Sequence, residues 1–359
     1  HAAAGGWMKV DIVEQVDLTP LNTLALPATS RHFATVDSLA ALQWLLSIAR
    51  ERHWPLLLLG GGSNLLLRGD HPGLTLKMAF DEIRLHQQGD QLWVRAGAGV
   101  VWDRLVETVV AADWHGIENL SGIPGTVGAA PIQNIGAYGA ELADCFDHLI
   151  AVDATSGAVH RFERDQCQFG YRDSLFKRNG QWIIVEVTLR LDRAMSPRSD
   201  HGAVQSELRA RGITAPSVAD LRRAVLAIRA SKLPDPRQLP NAGSFFHNPV
   251  VSAAHHARLR RSHPDLVSHP LPSGDFKLAA GWLIERLGWK GVRQGPVGVH
   301  PQQALVLVNH GGATAAQLLA LAGQISDQVR QLFGVTLTIE PVCVPPLPLP
   351  GLPHAALAT

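Results

Sequence analysis

Cysteine is scarce in this chain. Cys145, Cys167 and Cys343 are the three in 359 residues, scattered and without metal-ligand spacing. An odd, sparse set excludes a disulfide framework and points to reduced thiols, as in the cytoplasm. An excess of either charge is also missing: the formal net charge is +1, so no basic surface argues for nucleic acid. No apolar run approaches the length of a membrane span. No basic n-region precedes an apolar stretch, as it would in a secretory signal. Two common nucleotide fingerprints are missing as well: no Gly-Lys-Ser/Thr follows a glycine loop, and the G-x-G-x-x-G spacing is absent. Histidine is plentiful. The densest pair, His255-His256, has no cysteine or carboxylate at ligand spacing nearby, so no metal is expected there.

What is present suffices for two or three domains and a large core, without internal repeats. The apolar pattern alternates strands and helices, as in an α+β or α/β protein. A helix is expected over 38–50, with Leu39, Leu42, Leu45, Leu46 and Ala49 on one face. Others are expected over 100–112, 218–230, 277–287 and 316–333, the last two closed by Gly288 and Gly334. Strands are expected over 92–96, 182–191 and 304–308. In the second, Ile183, Val185, Val187, Leu189 and Leu191 should face one side, with Glu186, Thr188 and Arg190 opposite. Residues 1–7 read as the remnant of an expression tag, with Met8 as a native start. The proline-rich 344–359 reads as a mobile tail.

Three segments stand apart. In Leu59-Gly60-Gly61-Gly62-Ser63-Asn64-Leu65, an apolar run enters a loop stripped of Cβ atoms. Its N–H groups can converge on phosphate oxygens, and Ser63 and Asn64 add donors; a flexible turn would explain the triplet as well. In 122–139, Gly122, Gly125 and Gly128 recur every third residue, followed by Gly136 and Gly139. That run is too glycine-rich for a helix and too long for one turn. It suits a loop laid along a flat ligand, with Gln133 and Asn134 as amide donors and acceptors. In 241–249, the small Ala242-Gly243-Ser244 run lets backbone approach a ligand. Phe245 and Phe246 would anchor the turn and hold the Ser244 hydroxyl in place.

Taken in order, GGGSN, GIPGTVGAAPIQNIGAYG, GYRDSLFK, KLPDP and NAGSFFHNP resemble the UDP-N-acetylenolpyruvoylglucosamine reductases, flavoproteins of bacterial cell-wall precursor synthesis. The resemblance spans 19–340. It implies an α+β fold with a two-part FAD-binding module of the vanillyl-alcohol-oxidase type over 8–80 and 81–230. A C-terminal α+β substrate-binding domain over 231–334 and a last strand, 335–343, returning to the flavin would complete it. The resemblance also implies non-covalent FAD, NADPH as co-substrate and a UDP-sugar enolpyruvyl ether as substrate. FAD would lie on Gly60, Gly61, Gly62, Ser63, Asn64 and Leu65, and on Ile123, Pro124, Gly125, Val127, Gly128, Ala129, Gln133, Asn134, Gly136 and Ala137. Lys232, Asn248 and Gln303 would meet the substrate. With no separate dinucleotide unit, NADPH and substrate would use one cleft in turn. A cytoplasmic monomer without nucleic-acid or membrane partners is expected.

The chemistry follows from the bond reduced. In the reaction that the resemblance implies, hydride from flavin N5 would add to the terminal carbon of the vinyl ether. Negative charge then spreads into the adjacent carboxylate as an enediolate, which needs preorganised donors. In the family's pattern these are Arg172, a planar charged fork, and Glu340, protonated because burial raises its pKa. Ser244 would give its proton to the carbanionic carbon. From the residues alone, Arg172 could equally pair with Asp173, and Glu340 could be an exposed strand-end carboxylate.

Two features depart from the family. Where it often reads Leu-Glu-Pro-Glu-Val-Arg, this chain has Leu337-Thr338-Ile339-Glu340-Pro341-Val342. A match on the Glu-Pro pair would put Val342 at the glutamate's place; an ungapped match from Phe333, preferred because it keeps the spacing back to Gln303, puts Glu340 there and leaves Val342 where a flavin-contacting arginine would stand. The family's substrate-capping tyrosine also lacks a counterpart near His201-Gly202, so His201 is a candidate to stack instead. Three other classes stay open. A flavin oxidase often links FAD to a histidine, and neither glycine loop has one. A nucleotide-sugar binder has no need for Arg172, Ser244 and Glu340 together. A scaffold would hold no flavin.

Overall fold

The computed structural model describes residues 10–194 and 197–345. The expected tag remnant and the tail beyond Pro345 lie outside them. Near the N-terminus, Val13–Asp17, Thr29–Val36, His71–Met78 and Leu56–Leu59 form one sheet in that order. The first pair is antiparallel and the others are parallel. Parallel pairing needs a crossover, and helix Leu39–Glu51 supplies it, capped by Ser38. Its buried stripe is Ala41, Leu42, Leu45, Leu46 and Ala49, while Leu39 stays exposed.

Five antiparallel strands follow, in the order Val159–Glu163, Phe146–Asp153, Trp182–Asp192, Gln91–Gly97 and Ile83–Gln88. Helix Trp102–Ala111 packs Leu105, Val106 and Val109 into the same core. The central strand corrects the single-sided reading of 182–191. Ile150 faces Glu186 but Ala151 faces Ile184, so Val185 is an extra residue in a bulge. One inserted residue exchanges the faces beyond it. Ile183 and Val185 therefore enter the core of the N-terminal sheet, while Ile184, Val187, Leu189 and Leu191 enter that of their own. Helices Gly202–Ala210 and Val218–Lys232 then pair over a small core of their own.

The C-terminal part holds a sheet of Asn241–Ser244, Val306–Asn309, Val297–Val299 and Arg293–Gln294. A three-stranded sheet and helices Ala253–Ser262, Ala280–Arg286 and Ala315–Phe333 accompany it. The expected helix over 277–287 is shorter at its start. Lys277 and Leu278 belong to strand Phe276–Leu278, where Lys277 pairs with both Val250 and His269. The strand expected from 304 starts at Val306. Gly334 closes the long helix in the left-handed conformation. The paired histidines serve packing: His255 Nε2 lies 3.0 Å from the Phe333 carbonyl, and His256 stacks on Phe276. Among the described residues, no three ligand-type side chains gather as a metal site, and no helix is long and apolar enough to cross a membrane.

One core joins the two ends of the chain. Leu24, Leu26, Leu57, Leu59 and Leu65 share a cluster with Leu307, Ile325 and Phe333. Asn309 Nδ2 donates to the Leu24 carbonyl at 2.8 Å, and the Asn241 N–H to Thr23 at 2.9 Å. The last strand is Val342–Val344, parallel to Leu65–Leu67, not the whole of 335–343. Residues 335–338 are irregular, and Ile339 makes a single bridge to Phe246.

Candidate active site

A cavity of about 830 Å³ lies where these ends meet. Ser63 and Asn64, the 122–136 loop, the end of helix Val218–Lys232, the 241–248 turn and Glu340 all contribute to its wall. The two glycine loops touch backbone to backbone: a Cβ on Gly61 would stand 2.9 Å from Gly125 Cα. Gly62 has φ +62°, and its Cβ would fall 2.0 Å from the Leu21 carbonyl oxygen. Packing against neighbouring backbone thus accounts for these two glycines, and Ser63 and Asn64 carry the loop's face toward the cavity. Gly62→Ala is expected to lower stability by roughly 1–3 kcal/mol through backbone strain alone. An unfolding midpoint equal to the parent's would refute this.

Ser244 is placed by a bulge. Asn241 Oδ1 accepts from the Gly243 N–H at 2.9 Å, and Gly243 takes φ +69°. The register against Val306–Asn309 shifts there. Phe245 and Phe246 are buried behind it, edge to face at 5.5 Å. The Ser244 side chain lines the cavity and has no hydrogen-bond partner among the described residues.

Glu340 is pinned beside it. Its N–H donates to the Phe245 carbonyl at 2.9 Å, and its carbonyl accepts from Asn64 Nδ2 at 3.5 Å. The carboxylate lies 3.9 Å from Arg172 Nε and 3.8 Å from His247 Nδ1. Burial raises its pKa above the ordinary glutamate value, against the pull of Arg172 and Lys177. Arg172 takes φ +51° and donates to the Gly136 carbonyl at 2.5 Å. Asp173 pairs with Arg178, which leaves Arg172 to Glu340 and the cavity.

The wall also fits a nucleotide cofactor. Gln133 lines it, and its Oε1 is buried without a partner. An amide oxygen so placed costs about 1–3 kcal/mol unless a ligand donor meets it.

Comparison with known proteins settles the family. Residues 235–344 match the C-terminal domain of UDP-N-acetylenolpyruvoylglucosamine reductase, and residues 30–163 match an FAD binding domain. The UDP-N-acetylenolpyruvoylglucosamine reductase of Pseudomonas aeruginosa is 51% identical over 93% of this chain and 99% of its own length. That of Azoarcus sp. (strain BH72) is 50% identical over 93% and 98%. The chain belongs to this reductase family. A crystal structure of the Thermus caldophilus reductase has the same fold, with TM-score 0.64 at 24% identity over 94% of this chain and 99% of that one. A reductase of this family is an FAD-containing oxidoreductase, and the α+β architecture read from the motifs is the one observed.

Of the FAD residues expected from the reductase pattern, Ser63, Asn64, Ile123, Pro124, Gly125, Ala129, Gln133 and Gly136 line the cavity. Gly60 and Gly128 border a small neighbouring void of about 30 Å³. Gly61, Gly62, Leu65, Val127, Asn134 and Ala137 are not on the cavity wall. Among the substrate residues, Asn248 lines it and accepts from the Ala280 N–H at 3.0 Å. Lys232 and Gln303 do not line it; Lys232 is exposed at its helix end, and Gln303 Oε1 accepts from the Leu305 N–H at 3.4 Å. His201 meets Tyr138 edge-on at 5.4 Å, and Val342 pairs with Leu65.

Sequence reasoning passed over two titratable neighbours of Glu340. Ser174 caps the short helix Leu175–Arg178, and Lys177 Nζ then donates to the Arg172 carbonyl at 2.8 Å. His247 is pushed down to about 4 by burial, with Lys177 and Arg172 adding to the effect, so it is neutral near pH 7. Both stand inside quoted motifs, GYRDSLFK and NAGSFFHNP. Their convergence on one carboxylate carries no sequence signal.

Proposed function

We propose that the protein reduces the enolpyruvyl ether of UDP-N-acetylglucosamine to UDP-N-acetylmuramate for peptidoglycan synthesis, using NADPH and non-covalent FAD, as a cytoplasmic monomer. The observation that carries this reading is the meeting of Arg172, Ser244 and Glu340 on one cavity wall. FAD, held by the cavity's residues, would supply the two-electron redox chemistry between NADPH and the vinyl carbon. The chain's own residues handle charge and proton. Arg172 and protonated Glu340 hold the substrate carboxylate and take up the charge that spreads into it. The raised pKa of Glu340 suits a donor. The unpartnered Ser244 hydroxyl passes its proton to the neighbouring carbon, a weak acid facing a strongly basic atom.

In this reading residues 8–80 and 81–230 hold FAD, 231–334 hold the UDP-sugar, and 335–343 bring Glu340 to the reacting atoms. Ser63, Asn64, Ile123, Pro124, Gly125, Ala129, Gln133 and Gly136 on the cavity wall meet the cofactor, and Asn248 meets the substrate; Lys232 and Gln303, which do not line the cavity, would reach the substrate only after a side-chain movement. Neither glycine loop contains a histidine to link the flavin.

Anaerobic NADPH should bleach the bound flavin. After gel filtration removes the nicotinamide, the enolpyruvyl ether alone should restore the colour, because the two reactants take turns in one cleft. Acid precipitation should release the flavin into the supernatant. Reduced enzyme that the ether does not reoxidise would overturn the proposal, and colour held on the pellet would favour a linked-flavin oxidase.

A further inference from the structure

The reductase pattern expects Asn134 among the cofactor contacts, yet it stands off the cavity wall, 1% exposed. Its side chain is engaged inside the protein. Nδ2 donates to the Gly170 carbonyl at 3.0 Å and to Glu141 Oε2 at 2.9 Å, and Oδ1 accepts from the Ala143 N–H at 3.0 Å. A primary amide has two N–H donors, and both are used here. Gly170 opens the turn that carries Arg172. The Gly170 N–H donates to the Asp173 carbonyl at 2.9 Å, and the Asp173 N–H donates back at 3.3 Å. The segment around Asn134 also holds the other end of Arg172. The guanidinium donates to the Asn134 carbonyl at 3.4 Å and to the Gly136 carbonyl at 2.5 Å. Arg172 is thus gripped at its turn and at its head by residues 134–136.

The grip matters because both residues are left-handed, Asn134 at φ +42° and Arg172 at φ +51°. Asparagine visits that region readily and arginine does not. Such a backbone persists only where its surroundings over-determine it. Lys177 Nζ, on the Arg172 carbonyl, supports the turn from its exposed side.

We infer that Asn134 is a positioning residue for the reduction, whose amide fixes the turn that aims the Arg172 guanidinium into the cavity. The inference rests on the functional reading above. It separates Asn134 from its neighbour Gln133, whose amide lines the cavity.

Asn134→Gly suits the test, because glycine accepts the left-handed backbone and the change removes only the amide. In full-length holoenzyme, FAD affinity and NADPH reduction should stay parental. Reoxidation by the enolpyruvyl ether should slow by roughly 10- to 100-fold, the scale of a displaced catalytic group. Two readouts separate positioning from simple loosening. In an Arg172→Ala background, Asn134→Gly should slow reoxidation by no more than about twofold further, because its effect passes through Arg172. The alkaline limb of reoxidation should also move to higher pH, because Arg172 restrains the raised pKa of Glu340. The other groups facing that carboxylate are Lys177, His247, neutral above about 4, and Tyr171, whose own pKa burial raises. Should the glycine variant not fold, Asn134→Asp carries the comparison, since it keeps the size and the acceptor for Ala143 but loses the donor to Gly170. Parental reoxidation, an equal fall in NADPH reduction, a lower FAD affinity, or full additivity with Arg172→Ala overturns the inference. Parent enzyme that the ether does not reoxidise would overturn the functional reading instead.

Discussion

Ser244→Ala should accept electrons from NADPH at the parental rate and then pass them on slowly. The first half-reaction transfers no proton to a substrate carbon, so the hydroxyl has no part in it. In the proposed reaction the second ends with a proton on the carbanionic carbon. Loss of a general acid slows such a step by roughly 10²–10⁴-fold. The fold should tolerate the change. The bulge is held by Asn241 and Gly243 and anchored by Phe245 and Phe246, and the hydroxyl itself bonds to no other described residue. Stopped-flow absorbance resolves the two halves. If the variant reoxidises with the enolpyruvyl ether as fast as the parent, Ser244 is not the proton donor.

Glu340→Ala should act on the same half by a different route. It deletes a donor aimed at the developing charge, a loss of roughly 10²–10³-fold. Glu340→Gln keeps a neutral N–H in place and should recover part of the rate. The pH dependence separates the two further. Burial raises the pKa of Glu340, while Arg172 and Lys177 oppose the rise. In the proposed reaction the protonated form is the donor, so parental reoxidation should be fast at low pH and fall as pH climbs through that raised pKa. Glutamine does not titrate, so its profile should lose this alkaline limb. The neighbouring His247 cannot produce the limb, because it is already neutral above about 4. An alkaline limb that survives in Glu340→Gln would assign the titration elsewhere and remove Glu340 from this role.

The difference between Ser244 and Lys177 shows which residues a sequence reveals. Ser244 sits inside a short, odd run whose small residues and paired phenylalanines are poor core and poor linker. Lys177 sits in a short helix capped by Ser174, and its meaning depends on Glu340 reaching it from the far end of the chain. His247 is a second case of this kind. Both residues lie within the motifs, but nothing in the motifs marks them as neighbours of Glu340.

Local physics is written along the chain, so the sequence alone determined the helices Leu39–Glu51 and Ala315–Phe333 and the glycine loops. Periodicity, capping and the absence of Cβ atoms act between residues close in sequence. The Val185 bulge, the strand taken by Lys277 and Leu278, and the return strand at Val342–Val344 were decided only by the tertiary structure. Each depends on which backbone N–H and C=O groups a distant strand offers, and those groups are the same for every residue type but proline. The pKa of Glu340 belongs to this second class. Its direction comes from water excluded by segments at both ends of the chain, and no local sequence pattern records that exclusion.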